Sequence, residues 1–204
     1  MRDRNHHPSR RRVLALATLA ATGLNAAAIG TDAALAQNEL KPTPVCDDGD
    51  GPTLRQIEGP FYKPRSPERA DLTEPGAPAR LVELSGRVLT RSCRPAARTL
   101  LDLWHADENG DYDEGGFRYR GHVFTDAASR YGFRTIMPAP YPGRTRHYHF
   151  KVLAAGRQLL TTQLYFPDEP MNRRDGLFRP ELLMRIADAG PGLAARFDFI
   201  LDIR

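Results

Sequence analysis

The sequence predicts an all-β fold: a β-sandwich with an N-terminal extended arm and long connecting loops. Three observations point there. Short runs alternate apolar and polar residues, as strands buried on one face do. Seventeen glycines and seventeen prolines punctuate the 204 residues and supply turns at strand spacing. Only one short stretch reads as helix. Many short strands with such turns suit two sheets packed around one core, and the length suffices for one domain with a real interior.

The first 36 residues stand apart. Ser9 is followed by Arg10, Arg11 and Arg12, then by an uncharged run from Val13 to Gly30. Ala34 and Ala36 offer small residues for cleavage before Gln37. This build resembles a twin-arginine export signal. The run is rich in Ala, Gly and Thr rather than Leu and is barely long enough to span a bilayer, so a stable membrane anchor is not expected. The expected location is periplasmic or secreted, with residues 37–204 as the mature domain. Residues 1–36 hold five Arg and two Asp, which leaves 24 basic against 23 acidic residues in the rest. The net charge of +4 therefore sits mainly in the leader, and no nucleic-acid surface is indicated. Cys46 and Cys93 are the only cysteines, and in an exported protein a bridge between them is the expectation. Oligomeric state leaves no mark in the sequence, so a homo-oligomer stays open.

The elements follow in order. Residues 37–80, rich in Pro, Gly and Asp and without periodicity, read as an arm that wraps the domain. "VELSGRVL" places Val82, Leu84 and Val88 on one face. "TLLDLW" is a second strand, and the turn-rich insert "HADENGDYDEGG" follows it. "RYGFRT" sets Tyr131, Phe133 and Thr135 on one side. "HYHFKVL" and "LLTTQLYF" are further strands. Between Pro180 and Gly190, "ELLMRIADA" reads as the short helix. "FDFILDI" closes the chain with Phe197, Phe199, Leu201 and Ile203 in alternation.

The chemistry concentrates in "YPGRTRHYHF", Tyr141 to Phe150. Residues two apart on a strand share a face, so His147 and His149 project together while Tyr148, Phe150 and Val152 project the other way, toward the core. Two adjacent imidazoles suit two neighbouring positions on one metal. A lone His is more often a satisfied core residue, but the pair on one strand raises the metal reading to parity. No Asp or Glu continues the strand pattern, which disfavours cupin and Fe(II) two-His-one-carboxylate sites. A zinc site needs a third ligand, for which His105 or His122 stays open. Phenolate is the other choice. A phenol with an ordinary pKa of ~10 ionises at neutral pH only on a strong Lewis acid, and ferric iron suits that hard anion.

Taken together, "EGPFY", "SGRVL", "CRPAARTLLDLWHADENGDY", "RGHVFTDAASRYGFRTIMPAPYPGRTRHYHF" and "TTQLYF" resemble the intradiol ring-cleavage dioxygenases of the protocatechuate 3,4-dioxygenase type. The resemblance runs from Glu58 to the last strand. It implies Fe(III) held by Tyr112, Tyr141, His147 and His149, with Tyr141 as the ligand that leaves when substrate chelates. It implies a catalytic role for Arg144, which faces charge building on the substrate ring, for Gln163 beside the same pocket, and for Tyr141 as a base. The implied partners are a small-molecule catechol and O2. The implied reaction inserts both oxygen atoms between the two hydroxyl-bearing carbons to give a cis,cis-muconate-type dicarboxylate. The sequence departs from the family at Ser129 and Ala139, where Gly is usual, at Tyr148, where an aliphatic residue is usual, and at His105, where Gln is common. Two further readings are a metal-free transthyretin-like binding module and a zinc hydrolase using His147 and His149.

Overall fold

The computed structural model describes residues 51–76, 79–154 and 157–203. The expected export signal, its cleavage site and Cys46 lie outside these residues. Among the described residues the elements are β1 Leu81–Thr90, β2 Leu100–Trp104, β3 Arg120–Phe124, β4 Arg130–Ile136, β5 His147–Ala154, β6 Arg157–Tyr165, β7 Arg185–Ala189, β8 Gly192–Arg196 and β9 Phe199–Leu201. One sheet has the order β4-β1-β8-β7, with β9 also pairing β1; the other runs β3-β2-β5-β6. The fold is the expected all-β sandwich.

The alternation chooses the inner faces. Val82, Leu84 and Val88 of β1, Tyr131 and Phe133 of β4, Leu101 and Leu103 of β2, and Tyr148, Phe150 and Val152 of β5 join one buried cluster. Phe150 lies at its centre, with ring centroids 6.1 Å from Phe133 and 5.1 Å from Phe199. Burial of one such side chain stabilises by roughly 1.5–3 kcal/mol, so this cluster is the main reason β5 keeps its orientation.

The described part of the arm is tied down at both ends. Thr53 N donates to Ile200 O at 2.9 Å and Gln56 N to Thr161 O at 2.9 Å; Arg69 N donates to His122 O at 3.0 Å and Leu72 N to Arg134 O at 2.8 Å. It thus covers the outer face of the second sheet and pairs along β3 and β4. Cys93 is disulfide-bonded, and its partner lies outside the described residues.

One expected element is different. Pro180–Leu182 form a single 3-10 turn, and Arg185–Ala189 form strand β7 antiparallel to β8 instead of continuing a helix. A helix of nine residues is marginal on its own. β8 pairs with β1 on one side (Val82 opposite Leu193), which leaves its other edge for β7 to cover. Strands β3 and β8 also carry too little alternation to be seen in "RGHVF" and "GLAAR".

Ser129 has a φ of 60°, the left-handed region that glycine adopts without strain. Its hydroxyl is buried and has no hydrogen-bond partner. Ser129→Gly relieves both defects, offset in part by the entropy of glycine in the unfolded chain. The expected gain is about 1 kcal/mol, read as a higher melting temperature by calorimetry; an unchanged or lower value would refute it.

His105 is a buried structural histidine. Its Nδ1 lies 2.7 Å from Ala106 O and its Nε2 2.6 Å from the Thr135 hydroxyl, so Nδ1–H donates and Nε2 accepts. Burial pushes its pKa down from 6.5 to about 4. Between these values the unfolded chain takes up a proton that the folded protein refuses, so stability falls as pH falls through the window. His105→Gln should lower proton uptake on unfolding at pH 5 by about one, measured from the pH dependence of urea unfolding; an unchanged slope would count against it.

Candidate metal centre

The centre is built on the outer face of the second sheet. Cross-strand register sets its rows. Arg120 lies opposite Trp104, Trp104 opposite His149, and His149 opposite Gln163; one step along, His147 lies opposite Tyr165. The two imidazoles therefore arise on β5 between an indole on β2 and an amide on β6. Both are deeply buried, at 3% and 2% exposure, because the arm passes over them. Gly59 makes that crossing in the left-handed conformation (φ 77°), and even a methyl group there would stand 3.5 Å from His149 Cε1.

The two tyrosines come from loops, and each loop has a local cause. Tyr112 lies in the β2–β3 connection between two aspartate-nucleated turns. Asp107 Oδ1 accepts the N–H groups of Asn109 and Asp111 at 2.8 and 3.0 Å, and Asp113 accepts those of Gly116 and Arg118 at 2.7 and 2.9 Å. Asp readily makes such turns with the backbone that follows it. Tyr141 opens the turn Tyr141-Pro142-Gly143-Arg144, closed by Arg144 N donating to Tyr141 O at 2.9 Å. Pro at the second position and Gly143 at φ 81° are the requirements of a type II turn. The turn brings Arg144 back beside Tyr141, so Arg144 Nη1 donates to the Tyr141 hydroxyl at 3.3 Å.

Four donor atoms converge. His147 Nε2 and His149 Nε2 are 3.0 Å apart, and the Tyr112 hydroxyl is 3.0 Å from His149 Nε2. The Tyr141 ring stands beside them, its centroid 5.9 Å from that of Tyr112 and 5.6 Å from that of His147. His147 Nδ1 lies 2.6 Å from Thr145 O and donates to it, which leaves the Nε2 lone pair free to face the cluster. Burial, then the Arg144 charge, pushes the His147 pKa down to about 4. Burial and the neighbouring His147 hold His149 well below its usual value. Both rings are therefore neutral at physiological pH, the form that binds metal.

These residues fit a metal. Two nitrogens 3.0 Å apart, each about 2.1 Å from one cation, subtend about 90°, the angle of adjacent coordination positions. Burial, then Tyr141, raises the Tyr112 pKa far above that of an ordinary phenol, so only a strong Lewis acid would make it a phenolate. Among the described residues no group of three His, Cys, Asp or Glu is placed to hold a metal; the donor set is two imidazoles and two phenols. His105 is engaged elsewhere, as described above, and His122 Nδ1 lies 3.1 Å from the Ser66 hydroxyl. Neither joins the cluster as a third zinc ligand.

A family model described as "Dioxygenase" matches residues 57–202. The chain belongs to the intradiol dioxygenase family. It is 32% identical over 147 residues to catechol 1,2-dioxygenase 2 of Acinetobacter lwoffii, an overlap of 59% of this chain and 54% of that one. It is 31% identical over 150 residues to the protocatechuate 3,4-dioxygenase beta chain of Burkholderia cepacia, 59% of this chain and 63% of that one. The chain thus spans somewhat over half the length of these curated relatives. Its fold also matches the dioxygenase domain of a dioxygenase carbohydrate-binding protein fusion from Streptomyces sp. SirexAA-E. That match has a TM-score of 0.73 and 51% identity, and covers 76% of this chain and 100% of that one.

Of the site residues expected from sequence, the structure brings together Tyr112, Tyr141, Arg144, His147, His149 and Gln163. Arg144 Nη2 donates to Gln163 Oε1, and Gln163 Nε2 donates to Ile57 O of the arm at 2.9 Å. Three neighbours escaped sequence reasoning. Trp104 stacks on His149, with centroids 4.9 Å apart and planes 11° apart. Phe61 of the arm stacks on Tyr112 at 4.4 Å. Asp175 accepts Arg144 Nε at 3.0 Å. Strand parity could have placed Trp104 on the outer face beside Asp102, but not next to His149.

Trp104 is the only tryptophan in the chain, so its fluorescence reports on this centre. Titrating metal-free protein with a paramagnetic ion such as Co(II) should quench it with saturation, and His149→Ala should abolish the quench. Quenching of equal depth in that variant would place the metal elsewhere.

Proposed function

We propose that the chain is a non-haem Fe(III) intradiol dioxygenase acting on a catechol. The convergence of two neutral imidazoles and two phenols at one buried point, in a member of this family, is the observation that carries the reading. His147, His149, Tyr112 and Tyr141 would hold the iron. Ferric iron, when bound, supplies a Lewis acid that keeps phenolate and catecholate oxygens ionised and draws electron density from the aromatic ring toward O2. The relatives named for catechol and protocatechuate cleavage support the substrate class.

The chain's own residues divide the work. His147 and His149 are neutral donors whose rings cannot turn, one gripped by Thr145 O and the other clamped against Trp104. Tyr112 stays in place, backed by Phe61. Tyr141, on its turn, would be the iron-holding phenol exchanged for substrate, with its Oη as the base for a catechol hydroxyl proton. Arg144 Nη1, already at that oxygen, would offer a fixed positive charge to the Tyr141 phenolate and to negative charge building on the substrate ring. Preorganised donors of this kind are worth ~3 kcal/mol each. Gln163 holds the other arm of the guanidinium and ties it to the roof through Ile57. In the reaction proposed, the bond between the two hydroxyl-bearing carbons breaks and each of these carbons gains one atom of O2, giving a cis,cis-muconate-type dicarboxylate.

Iron-loaded protein should be red to burgundy from tyrosinate-to-iron charge transfer and should convert a member of a catechol panel to ring-opened acid, followed by absorbance and mass. Tyr112→Phe should bleach or shift the band. A colourless protein at full iron occupancy would overturn the proposal.

A further inference from the structure

Beneath Arg144 lies a carboxylate that no part of the reaction described above uses. The Asp175 side chain is wholly enclosed, at 0% exposure. Its Oδ2 accepts Arg144 Nε at 3.0 Å and the Thr145 N–H at 3.0 Å, and its Oδ1 accepts the Leu177 N–H at 2.9 Å. Burial works to raise its pKa, but the N–H groups of Leu177 and Thr145 and the guanidinium of Arg144 hold it below the ordinary carboxylate range.

The two groups it grips lead to the centre by separate routes. With Nε anchored, the Arg144 fork points one nitrogen at the Tyr141 hydroxyl and the other at Gln163. The Thr145 peptide, held through its N–H by Asp175, uses its carbonyl to accept from His147 Nδ1 at 2.6 Å. A second clamp secures the same residue. The Thr145 hydroxyl donates to Asn172 Oδ1 at 2.7 Å, and Asn172 Nδ2 donates to Phe166 O at 2.9 Å. The turn after β6 thus grips the turn before β5.

We propose that Asp175 is a positioning residue for this centre, aiming the Arg144 guanidinium at Tyr141 and fixing, through the Thr145 peptide, the ring of His147. The proposal deepens the dioxygenase reading and rests on it for the role of Arg144. A carboxylate is needed because it both pairs with the buried cation and accepts from the peptide N–H. Asparagine keeps an acceptor oxygen but loses the charge, and alanine loses both.

The experiment separates these parts. In iron-loaded enzyme, Asp175→Asn should keep its iron and its charge-transfer band while kcat falls by about 10- to 100-fold, with KM little changed. In an Arg144→Met background the same substitution should cost no further activity. It should also raise the melting temperature there, because it removes an unpaired buried carboxylate. Asp188→Asn, which breaks the exposed pair with Arg80, should alter none of these. Wild-type kcat in Asp175→Asn, or an equal further loss in the Arg144→Met background, would overturn the proposal.

If the wild type proves colourless and opens no catechol, the dioxygenase reading fails by itself. The positioning claim is then decided by Co(II) affinity, read through Trp104 fluorescence. Asp175→Ala should weaken binding by about 10- to 100-fold and Asp175→Asn should largely restore it. Unchanged affinity in Asp175→Ala would overturn the claim.

Discussion

The register of β5 between β2 and β6 governs the rest of the structure. A slip of one residue would exchange the two faces of the strand, sending His147, His149 and Lys151 into the sandwich and Tyr148, Phe150 and Val152 out of it. Those three apolar residues are wholly buried, so the slip would forfeit their burial and bring three polar groups into an apolar interior without partners. The same packing that stabilises the fold thus holds the two imidazoles in place. Tyr148 adds a latch, since its hydroxyl donates to Ile136 O across the core at 2.9 Å.

The outer face of that sheet poses the opposite problem. It carries His122, Asp102 and Lys151 in one register row, and a covered polar row must find its hydrogen bonds locally. The arm supplies them. The Ser66 hydroxyl lies 2.8 Å from Asp102 Oδ1 and 3.1 Å from His122 Nδ1. Lys151 pairs with Glu58 and stands 3.4 Å over the Tyr62 ring. Arg120, 2% exposed, donates to Phe61 O at 2.7 Å. Each contact fastens the segment that carries Gly59 and Phe61 over the centre. The roof is therefore a fixed part of the site, and its polar underside is the reason it stays down.

Local patterns in the sequence disclosed what local physics decides. Alternation in "HYHFKVL" showed which side of β5 faces the core, and the Pro-Gly pair after Tyr141 is the signature of the turn that returns Arg144 to it. Tyr112 was different: nothing in "NGDYDEGG" distinguishes a ligand from a rim residue, and only the family resemblance singled it out. Trp104 and Asp175 were not legible because their partners are set by pairing of distant segments, β2 with β5 and the turn after β6 with the turn before β5. The misread helix at residues 181–189 shows the same limit. Its local pattern allowed a helix, and the unpaired edge of β8 decided for a strand.

The arm also dictates an order of assembly. Thr53 meets Ile200 across 147 residues of chain, and Ile57 meets Gln163 across 106. Loops of that length close only after nearer contacts have formed. A chain still being synthesised has its arm made before β6 and β9, the strands that hold the arm's first described residues. The enclosed centre, roof and floor together, is therefore among the last things the molecule makes, and a chain cut short before its final strand would have every ligand yet lose an anchor of the lid that buries them.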